Sequence, residues 1–119
     1  MIFMRKILFA TALVVGLVFA QLPTVNAQDV YVGTSPATGM DCYLDTNSIV
    51  KLWTTETGKG FSARLKMIGR HVNYLDYELI IRYNGTYRFS NAQGYSGEAT
   101  YYDTPIEWNM CQYIARNYF

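Results

Sequence analysis

The stretch Tyr74–Ser90, YLDYELIIRYNGTYRFS, predicts the centre of an antiparallel β-sheet. Apolar and polar residues alternate around Asn84-Gly85, a dipeptide that strongly indicates a β-hairpin turn. Because successive side chains of a strand point to opposite faces, one face of this hairpin is predicted to be apolar and the other charged. This stretch therefore predicts two paired strands that contribute one face to a hydrophobic core.

Two registers of this hairpin agree with the sequence. A two-residue turn pairs Tyr83 with Thr86. The aromatic residues that follow the turn then lie on the other side of the sheet from the apolar residues that precede it. A three-residue loop with Gly85 in the left-handed conformation instead pairs Arg82 with Thr86. The second register is favoured because it brings the apolar side chains of both strands onto one face. That face holds Tyr77, Leu79, Ile81, Tyr87 and Phe89, and the other holds Asp76, Glu78, Arg82 and Arg88.

The sequence before this hairpin predicts further short antiparallel strands, because turn residues recur at short intervals. The predicted strands are Val30–Gly33, Asp41–Leu44, Val50–Thr55 and Gly60–Ile68, and the last two are joined by a turn around 57–60. The segment Asp45–Ile49 between them is predicted to form one helical turn, with Asp45 as its N-cap. In the last strand, one face holds Phe61, Ala63, Leu65 and Met67, and the other holds Ser62, Arg64 and Lys66.

The C-terminal segment predicts a helix. Thr104-Pro105-Ile106-Glu107 has the pattern of a capping box with proline at the first helical position. The apolar stripe consists of Ile106, Met110, Ile114 and Tyr118, with Cys111 and Ala115 beside it, and the polar side holds Glu107, Asn109, Gln112 and Arg116. The predicted fold class is therefore α+β, a single antiparallel β-sheet with a C-terminal α-helix packed on one face.

The N-terminal segment has the layout of a cleaved secretory signal peptide. Arg5 and Lys6 form its positive start, 7–20 is an uninterrupted apolar run, and 25–27 is a small-residue cleavage site. An uncleaved membrane anchor is the alternative. However, the apolar run makes a helix of about 21 Å, which is shorter than the roughly 30 Å of a bilayer core. Residues 1–27 are therefore predicted to be removed on export, which leaves no membrane span.

Cleavage at this site would leave residues 28–119 as a single small domain in the periplasm or outside the cell. Loss of Arg5 and Lys6 reduces the ten basic residues to eight against nine acidic ones, a net charge of −1. Nucleic-acid-binding domains are basic, so no nucleic-acid partner is predicted. Small exported domains often add a disulfide, so Cys42 and Cys111, the only cysteines, are predicted to form a structural bridge that tethers the helix.

The chain offers few residues for catalysis, and no enzymatic activity is predicted. His71 is the only histidine, and its polar neighbours indicate an exposed loop. A serine nucleophile would need a base, and His71 is the only candidate. The sequence contains no Gly-x-Ser-x-Gly motif, no Cys/His cluster with zinc spacing and no calcium loop. No catalytic residue, metal site or cofactor is therefore predicted.

Two groups of side chains are candidate contacts for another macromolecule. The first is a mildly basic set on the polar sheet face, consisting of Arg64, Lys66, Arg82 and Arg88. The alternative for this set is a solvated face with cross-strand ion pairs. The second group lies in a region rich in glycine and serine and consists of Tyr95, Tyr101 and Tyr102. Exposed tyrosines bind peptides or sugars with little loss of entropy, but they could also pack the helix against the sheet edge.

The segment 42–49, CYLDTNSI, followed by a hairpin, resembles the start of the surface-adhesin E family of small bacterial envelope proteins. The resemblance continues through Gly94–Gly97 to Trp108, so it covers most of the mature chain. It implies an antiparallel sheet with a C-terminal helix tethered across it by a disulfide. The family's named member binds host matrix and serum proteins and promotes adhesion. This chain lacks the lipid-anchor cysteine of that family, and no family binding residue is transferred to it.

The predicted function is that of an exported, non-enzymatic bacterial envelope protein that binds another macromolecule. Its partner would be a protein, with host proteins as the adhesin-like candidates. The alternative is a periplasmic inhibitor of a hydrolase such as lysozyme, since such inhibitors are also small, exported, β-rich and bridged by disulfides. In the first hypothesis an open protein surface makes the contact. In the second a loop enters the active-site cleft of an enzyme.

Overall fold

The computed structural model describes residues 28–119, which form a six-stranded antiparallel sheet and a C-terminal helix. The elements are β1 (Asp29–Thr34), β2 (Asp41–Thr54), β3 (Gly58–Ile68), β4 (Val72–Arg82), β5 (Tyr87–Asn91), β6 (Ser96–Ala99) and α1 (Pro105–Asn117). Strands that are consecutive in sequence are neighbours in the sheet, so the sheet is a meander. The predicted α+β class and the antiparallel pairing are confirmed. The predicted signal peptide lies outside the described residues.

The hydrophobic core lies between α1 and one face of the sheet, which we call the inner face. Its most buried members include Leu44, Phe61, Leu79 and Ile114, none of which is more than 1% exposed. The alternation predicted for β3 is confirmed, because its apolar face is buried in this cluster. The helix contacts β1, β4, β5 and β6 and so lies across the sheet. Tyr118, predicted to extend the apolar stripe, follows the end of the helix and is exposed.

The hairpin between β4 and β5 has the bulged register. The Arg82 amide donates to the carbonyl oxygen of Thr86 at 3.0 Å. Gly85 has a φ of 86°, which glycine adopts without the steric cost of a Cβ. The Asn84 side chain stabilises the loop by accepting hydrogen bonds from the amide and hydroxyl of Thr86, at 3.0 and 2.6 Å. The apolar residues predicted to share a face are all buried, namely Tyr77, Leu79, Ile81, Tyr87 and Phe89.

Strand β2 runs through the segment that was predicted to be a helical turn, so that prediction was wrong. Asp45 pairs with Arg64, and the register of β2 against β3 then shifts before the next pairing. Within this bulge the Asn47 amide donates to Asp45 Oδ1 at 3.1 Å, and Ser48 Oγ donates to the Asp45 carbonyl at 2.6 Å. Side chains that cap helices can close local turns in the same way. Here that chemistry serves a bulge inside a strand.

The turn between β2 and β3 lies earlier than predicted. Strand β3 begins at Gly58 rather than at Gly60, because residues 58–60 already pair with β4. The Thr55 amide donates to the carbonyl oxygen of Gly58 at 2.8 Å and closes the turn. The glycines of this segment therefore belong to a strand and not to the loop that their composition indicates.

The helix begins where predicted, but the capping box is not formed. Pro105 is the first helical residue, and Thr104 makes no side-chain cap hydrogen bond. The Thr104 hydroxyl accepts a hydrogen bond from the Thr100 amide at 2.7 Å instead. Glu107 Oε2 accepts one from the buried Tyr77 hydroxyl at 2.6 Å. Thr104 thus stabilises the turn before the helix, and Glu107 makes a tertiary contact that anchors the helix to β4.

Cys42 and Cys111 lie in the same core but do not form the predicted disulfide. Cys42 is on β2 and Cys111 is on α1, and both are free thiols no more than 1% exposed. Their separation exceeds disulfide-bonding distance, and Cys42 Sγ donates to the carbonyl oxygen of Met40 at 3.6 Å. Burial raises the pKa of both thiols, and that of Cys111 reaches about 12. The prediction identified two core residues, but a bridge also needs close Cβ atoms.

Both thiols are expected to resist alkylation while the protein is folded, because the thiolate is the reactive form and burial suppresses it. Iodoacetamide at pH 8 should modify neither cysteine in the native protein and both after unfolding in guanidinium without reductant. Intact-mass spectrometry measures the number of groups added. Unfolded protein that is labelled only after reduction would show that a bridge forms and that the thiols are not free.

Candidate binding surface

The face of the sheet opposite α1, which we call the outer face, carries the polar side chains of the central strands. Ser62, Glu78 and Ser90 are successive cross-strand partners on β3, β4 and β5. Arg64 and Asp76 form the next row. The helix packs on the inner face, and no other helix or strand among residues 28–119 lies on the outer one. The outer face is therefore the surface that this part of the chain leaves open.

Two adjoining hollows on the outer face form a groove that we call the outer trough. The larger has a volume of about 500 Å³ and the smaller of about 140 Å³. The larger hollow is lined by residues that include Ser48, Ser62, Arg64 and Asp76. The smaller hollow is lined by residues that include Leu52, Trp53, Gly60, Ile80 and Arg88. Glu78 and Ser90 line both hollows. From Asp76 to Ile80 the trough follows β4 for about 13 Å, at about 3.3 Å per residue. Its shape suits a chain in extended conformation.

Trp53 forms an apolar end of the trough. It pairs with Gly60, and a Cβ at Gly60 would lie only 2.2 Å from the indole. The missing side chain therefore allows the indole to lie directly on β3. Strand β1 pairs with β2 only as far as Asp45, so the later part of β2 extends beyond it and exposes Val50 and Leu52 beside Trp53. Contiguous exposed apolar side chains mark interaction surfaces.

The arginines of the outer face are paired with acidic neighbours. Arg64 Nε lies 2.8 Å from Asp76 Oδ1, and this hydrogen bond lowers the pKa of the Asp76 carboxyl. Arg82 makes two hydrogen bonds with the Glu98 carboxylate, at 2.5 and 3.1 Å, which lower the pKa of Glu98. Arg88 Nη1 also lies 3.6 Å from Glu98 Oε2. The arginines that the sequence suggested as a basic contact surface are therefore engaged in cross-strand ion pairs.

Glu78 differs from the other charged residues of the trough. Its carboxylate makes no hydrogen bond or ion pair with another side chain in the part of the chain that the structure describes. It stands between Ser62 and Ser90 in its cross-strand row and lines both hollows. A negative charge thus lies at the centre of the trough, with hydroxyl groups on either side.

Lys66, also predicted as a contact, is buried rather than exposed. Its Nζ lies 3.1 Å from Asp29 Oδ2, and the two side chains are only 5% and 2% exposed. Lys66 pairs with Tyr43, whose ring packs edge-on against Tyr31 with centroids 5.5 Å apart. Separating a buried ion pair leaves a charge without compensation, which is costly. We therefore assign Lys66 a structural role.

The three tyrosines predicted as contacts lie outside the trough and are not brought together. Tyr95 is in the turn between β5 and β6, whereas Tyr101 and Tyr102 follow β6 at its other end. The rings of Tyr101 and Tyr102 pack edge-to-face, with centroids 5.2 Å apart. Tyr95 is 67% and Tyr102 is 90% exposed, so all three rings are accessible but at separate places. Trp53 was not predicted as a contact from the sequence. It lies on β2, two strands away from Glu78 on β4, so only the pairing of the strands shows that both side chains line the same groove.

The histidine considered as a catalytic base lies exposed between β3 and β4, as predicted. Within residues 28–119, no group of three or more His, Cys, Asp or Glu residues is arranged to hold a metal ion. In the same range, no helix is long and apolar enough to cross a membrane. The candidate binding groups of the described residues are therefore the polar and aromatic side chains of the outer face.

Comparison with other proteins adds nothing to this geometry. No family model, curated protein or solved structure matches the chain. The resemblance to the surface-adhesin E family stays a prediction, and function has to be inferred from the outer trough.

Proposed function

We propose that this protein is an exported, non-enzymatic binding protein of a bacterial envelope, and that it holds an extended segment of a partner protein in the outer trough. The observation that supports this function is a polar groove of about 500 Å³ on an uncovered sheet face. An extended polypeptide has the same rise per residue as the strand that it would follow, so its alternate side chains would meet the floor at regular intervals. The adhesin-like partners predicted from the sequence would bind in this way.

The composition of the trough suits recognition of a polypeptide. Ser62 and Ser90 supply hydroxyl groups that donate and accept hydrogen bonds. The indole of Trp53 supplies the kind of aromatic anchor that dominates many protein interfaces. Arg64 is held by Asp76 on one side, and its guanidinium lies 5.5 Å from the centroid of the Tyr74 ring. Side chains fixed before binding lose less entropy in the complex, which favours affinity.

The alternative function, inhibition of a hydrolase such as lysozyme, has one supporting observation. Tyr101 and Tyr102 lie on the loop between β6 and α1, and Tyr102 is almost completely exposed. A protruding aromatic pair of this kind could enter the active-site cleft of an enzyme. The outer trough and this loop are distinct parts of the surface, so variants can separate the two functions.

The variant Ser62→Trp is expected to weaken partner binding strongly, because the indole would fill the middle of the trough. Thr38→Trp, in the exposed turn between β1 and β2, is the matched control. Surface plasmon resonance against matrix and serum proteins should give equal affinities for the wild type and Thr38→Trp. The affinity of Ser62→Trp should be lower by at least about tenfold, a loss of about 1.4 kcal/mol. Circular dichroism checks that both variants fold.

Two results would contradict this function. Equal binding by Ser62→Trp and the wild type would show that the partner does not occupy the trough. Inhibition of lysozyme by the wild type, lost in Tyr102→Ala and retained in Ser62→Trp, would establish the alternative.

A further inference from the structure

We infer that the smaller hollow, between Trp53 and Glu78, is a subsite for a cationic side chain of the bound segment, a lysine or an arginine. This inference rests on the proposed function and specifies the sequence that the trough prefers. The hollow has a volume of about 140 Å³, and it joins an indole, a carboxylate and aliphatic side chains within one small space. These are the groups that a long cationic side chain requires.

The charges around the hollow favour a cation. Glu78 lines it and has no ion-pair partner among the described residues. The guanidinium of Arg64, one row away, is engaged by Asp76 at 2.8 Å. Arg88 lines the same hollow but is directed to Glu98, 3.6 Å away on the side of β6. A ligand cation could therefore pair with Glu78, an exposed carboxylate that no side chain of the described residues engages.

The apolar groups of the hollow favour a cation on a long stem. One side of the Trp53 indole lies on Gly60, and the side chain is still 38% exposed, so it is open to a ligand. Tryptophan is the best aromatic acceptor of cation–π interactions. Leu52 and Ile80 complete the lining, and the methylene groups of lysine or arginine cover such apolar surface while the charged head stays polar.

Other ligands fit the hollow less well. An anionic group would meet the carboxylate of Glu78 and would have to draw Arg88 away from Glu98. A neutral sugar could stack on Trp53, but it would make no ion pair with Glu78. The geometry therefore points to a basic segment of polypeptide as the occupant.

The test uses short peptides of alternating serine and threonine that differ only at the central residue. That residue is arginine, its neutral isostere citrulline, or glutamate. Each peptide is titrated into the isotope-labelled full chain, and binding is followed by the NMR signal of the Trp53 indole N–H. The arginine peptide should bind at least about tenfold more tightly than the citrulline peptide, and the glutamate peptide should bind most weakly. Added salt should reduce the preference for arginine.

Two carboxylate variants make the test specific. Glu78→Gln keeps the shape of the side chain and should reduce the preference for arginine over citrulline at least about threefold without abolishing binding of the citrulline peptide; the cation–π contact with Trp53 accounts for any remaining preference. Glu56→Gln, in the exposed turn between β2 and β3, removes the same charge elsewhere and should retain the preference.

The inference and the proposed function fail in different ways. If the arginine and citrulline peptides bind equally and Ser62→Trp weakens both, the trough holds an extended chain but the cationic subsite is overturned. A preference for arginine that is as large in Glu78→Gln as in the wild type overturns the subsite as well. If no peptide binds, the inference is overturned, and loss of matrix-protein binding in Ser62→Trp then decides separately whether the proposed function stands.

Discussion

Replacing Lys66 with methionine is expected to lower the free energy of unfolding by about 3–5 kcal/mol, the usual cost of breaking a buried ion pair. Methionine keeps the apolar stem but removes the ammonium that lies 3.1 Å from Asp29 Oδ2. The carboxylate of Asp29, whose side chain is 2% exposed, would then remain buried after the loss of this ion pair, which is costly. Urea unfolding followed by circular dichroism measures the change.

An exposed ion pair made by another residue of β3 provides the matched control. Arg64 and Asp76 also form an ion pair at 2.8 Å, but their side chains are 47% and 64% exposed. Arg64→Met is therefore expected to cost much less stability than Lys66→Met. The double variant Asp29→Asn/Lys66→Met should recover part of the loss caused by Lys66→Met, because it removes both charges. Equal losses in Lys66→Met and Arg64→Met would show that burial does not determine the importance of the pair.

The protein is also expected to lose stability steeply as the pH rises from about 9 to about 12. Burial raises the pKa of the Cys111 thiol from 9.0 to about 12. Above pH 9 the unfolded chain releases this proton while the folded chain retains it, so rising pH favours unfolding. The thiol's contribution is complete below pH 9 and is lost by about pH 12. Each pH unit removes up to about 1.4 kcal/mol, or about 4 kcal/mol in all.

The variant Cys111→Ala tests this pH dependence directly. Between pH 9 and 10.5, its free energy of unfolding should fall by up to about 2 kcal/mol less than that of the wild type. Burial, together with the hydrogen bond to Glu107, also raises the pKa of Tyr77, so Tyr77→Phe should reduce the loss at higher pH. Tyr102→Phe, at an exposed ring, is the control. An unchanged slope in Cys111→Ala would show that the thiol ionises alike in the folded and unfolded chains.

Much of the fold follows from local patterns in the sequence. The alternation in Tyr74–Ser90 predicted the hairpin, and the requirement for one apolar face predicted its bulged register. Pro105 marked the start of the helix. These features were predictable because they depend on periodicity, turn chemistry and the restricted φ of proline, all of which act over a few residues.

The errors have a common physical origin in contacts between distant residues. Asp45 has the side chain of a helix cap, but pairing of β2 with β1 and β3 turned the same hydrogen bonds into a bulge. Glu107 could have completed a capping box, but its carboxylate accepts a hydrogen bond from the Tyr77 hydroxyl instead. For Asp45 the backbone, and for Glu107 the side chain, found a partner distant in sequence that the local pattern did not indicate.

The candidate site depends still more on tertiary structure. The basic residues of β3, β4 and β5 were predicted as a group, but each forms an ion pair with an acidic residue on another strand. Glu78 could not be distinguished from those partners until the pairing of the whole sheet was known. Trp53 belongs to the trough because the shifted register of β2 places its indole over Gly60.

The amino-acid sequence by itself determined the class of fold, the central hairpin and its register, and the position of the helix. Binary patterning and turn chemistry are properties of neighbouring residues, so they can be read without coordinates. Only the tertiary structure decided that Cys42 and Cys111 stay apart, that Lys66 is buried and that Glu78 lies in a groove without an ion-pair partner among the described residues. Bonding distance, burial and charge compensation depend on the residues that folding brings together, and a sequence does not state those distances.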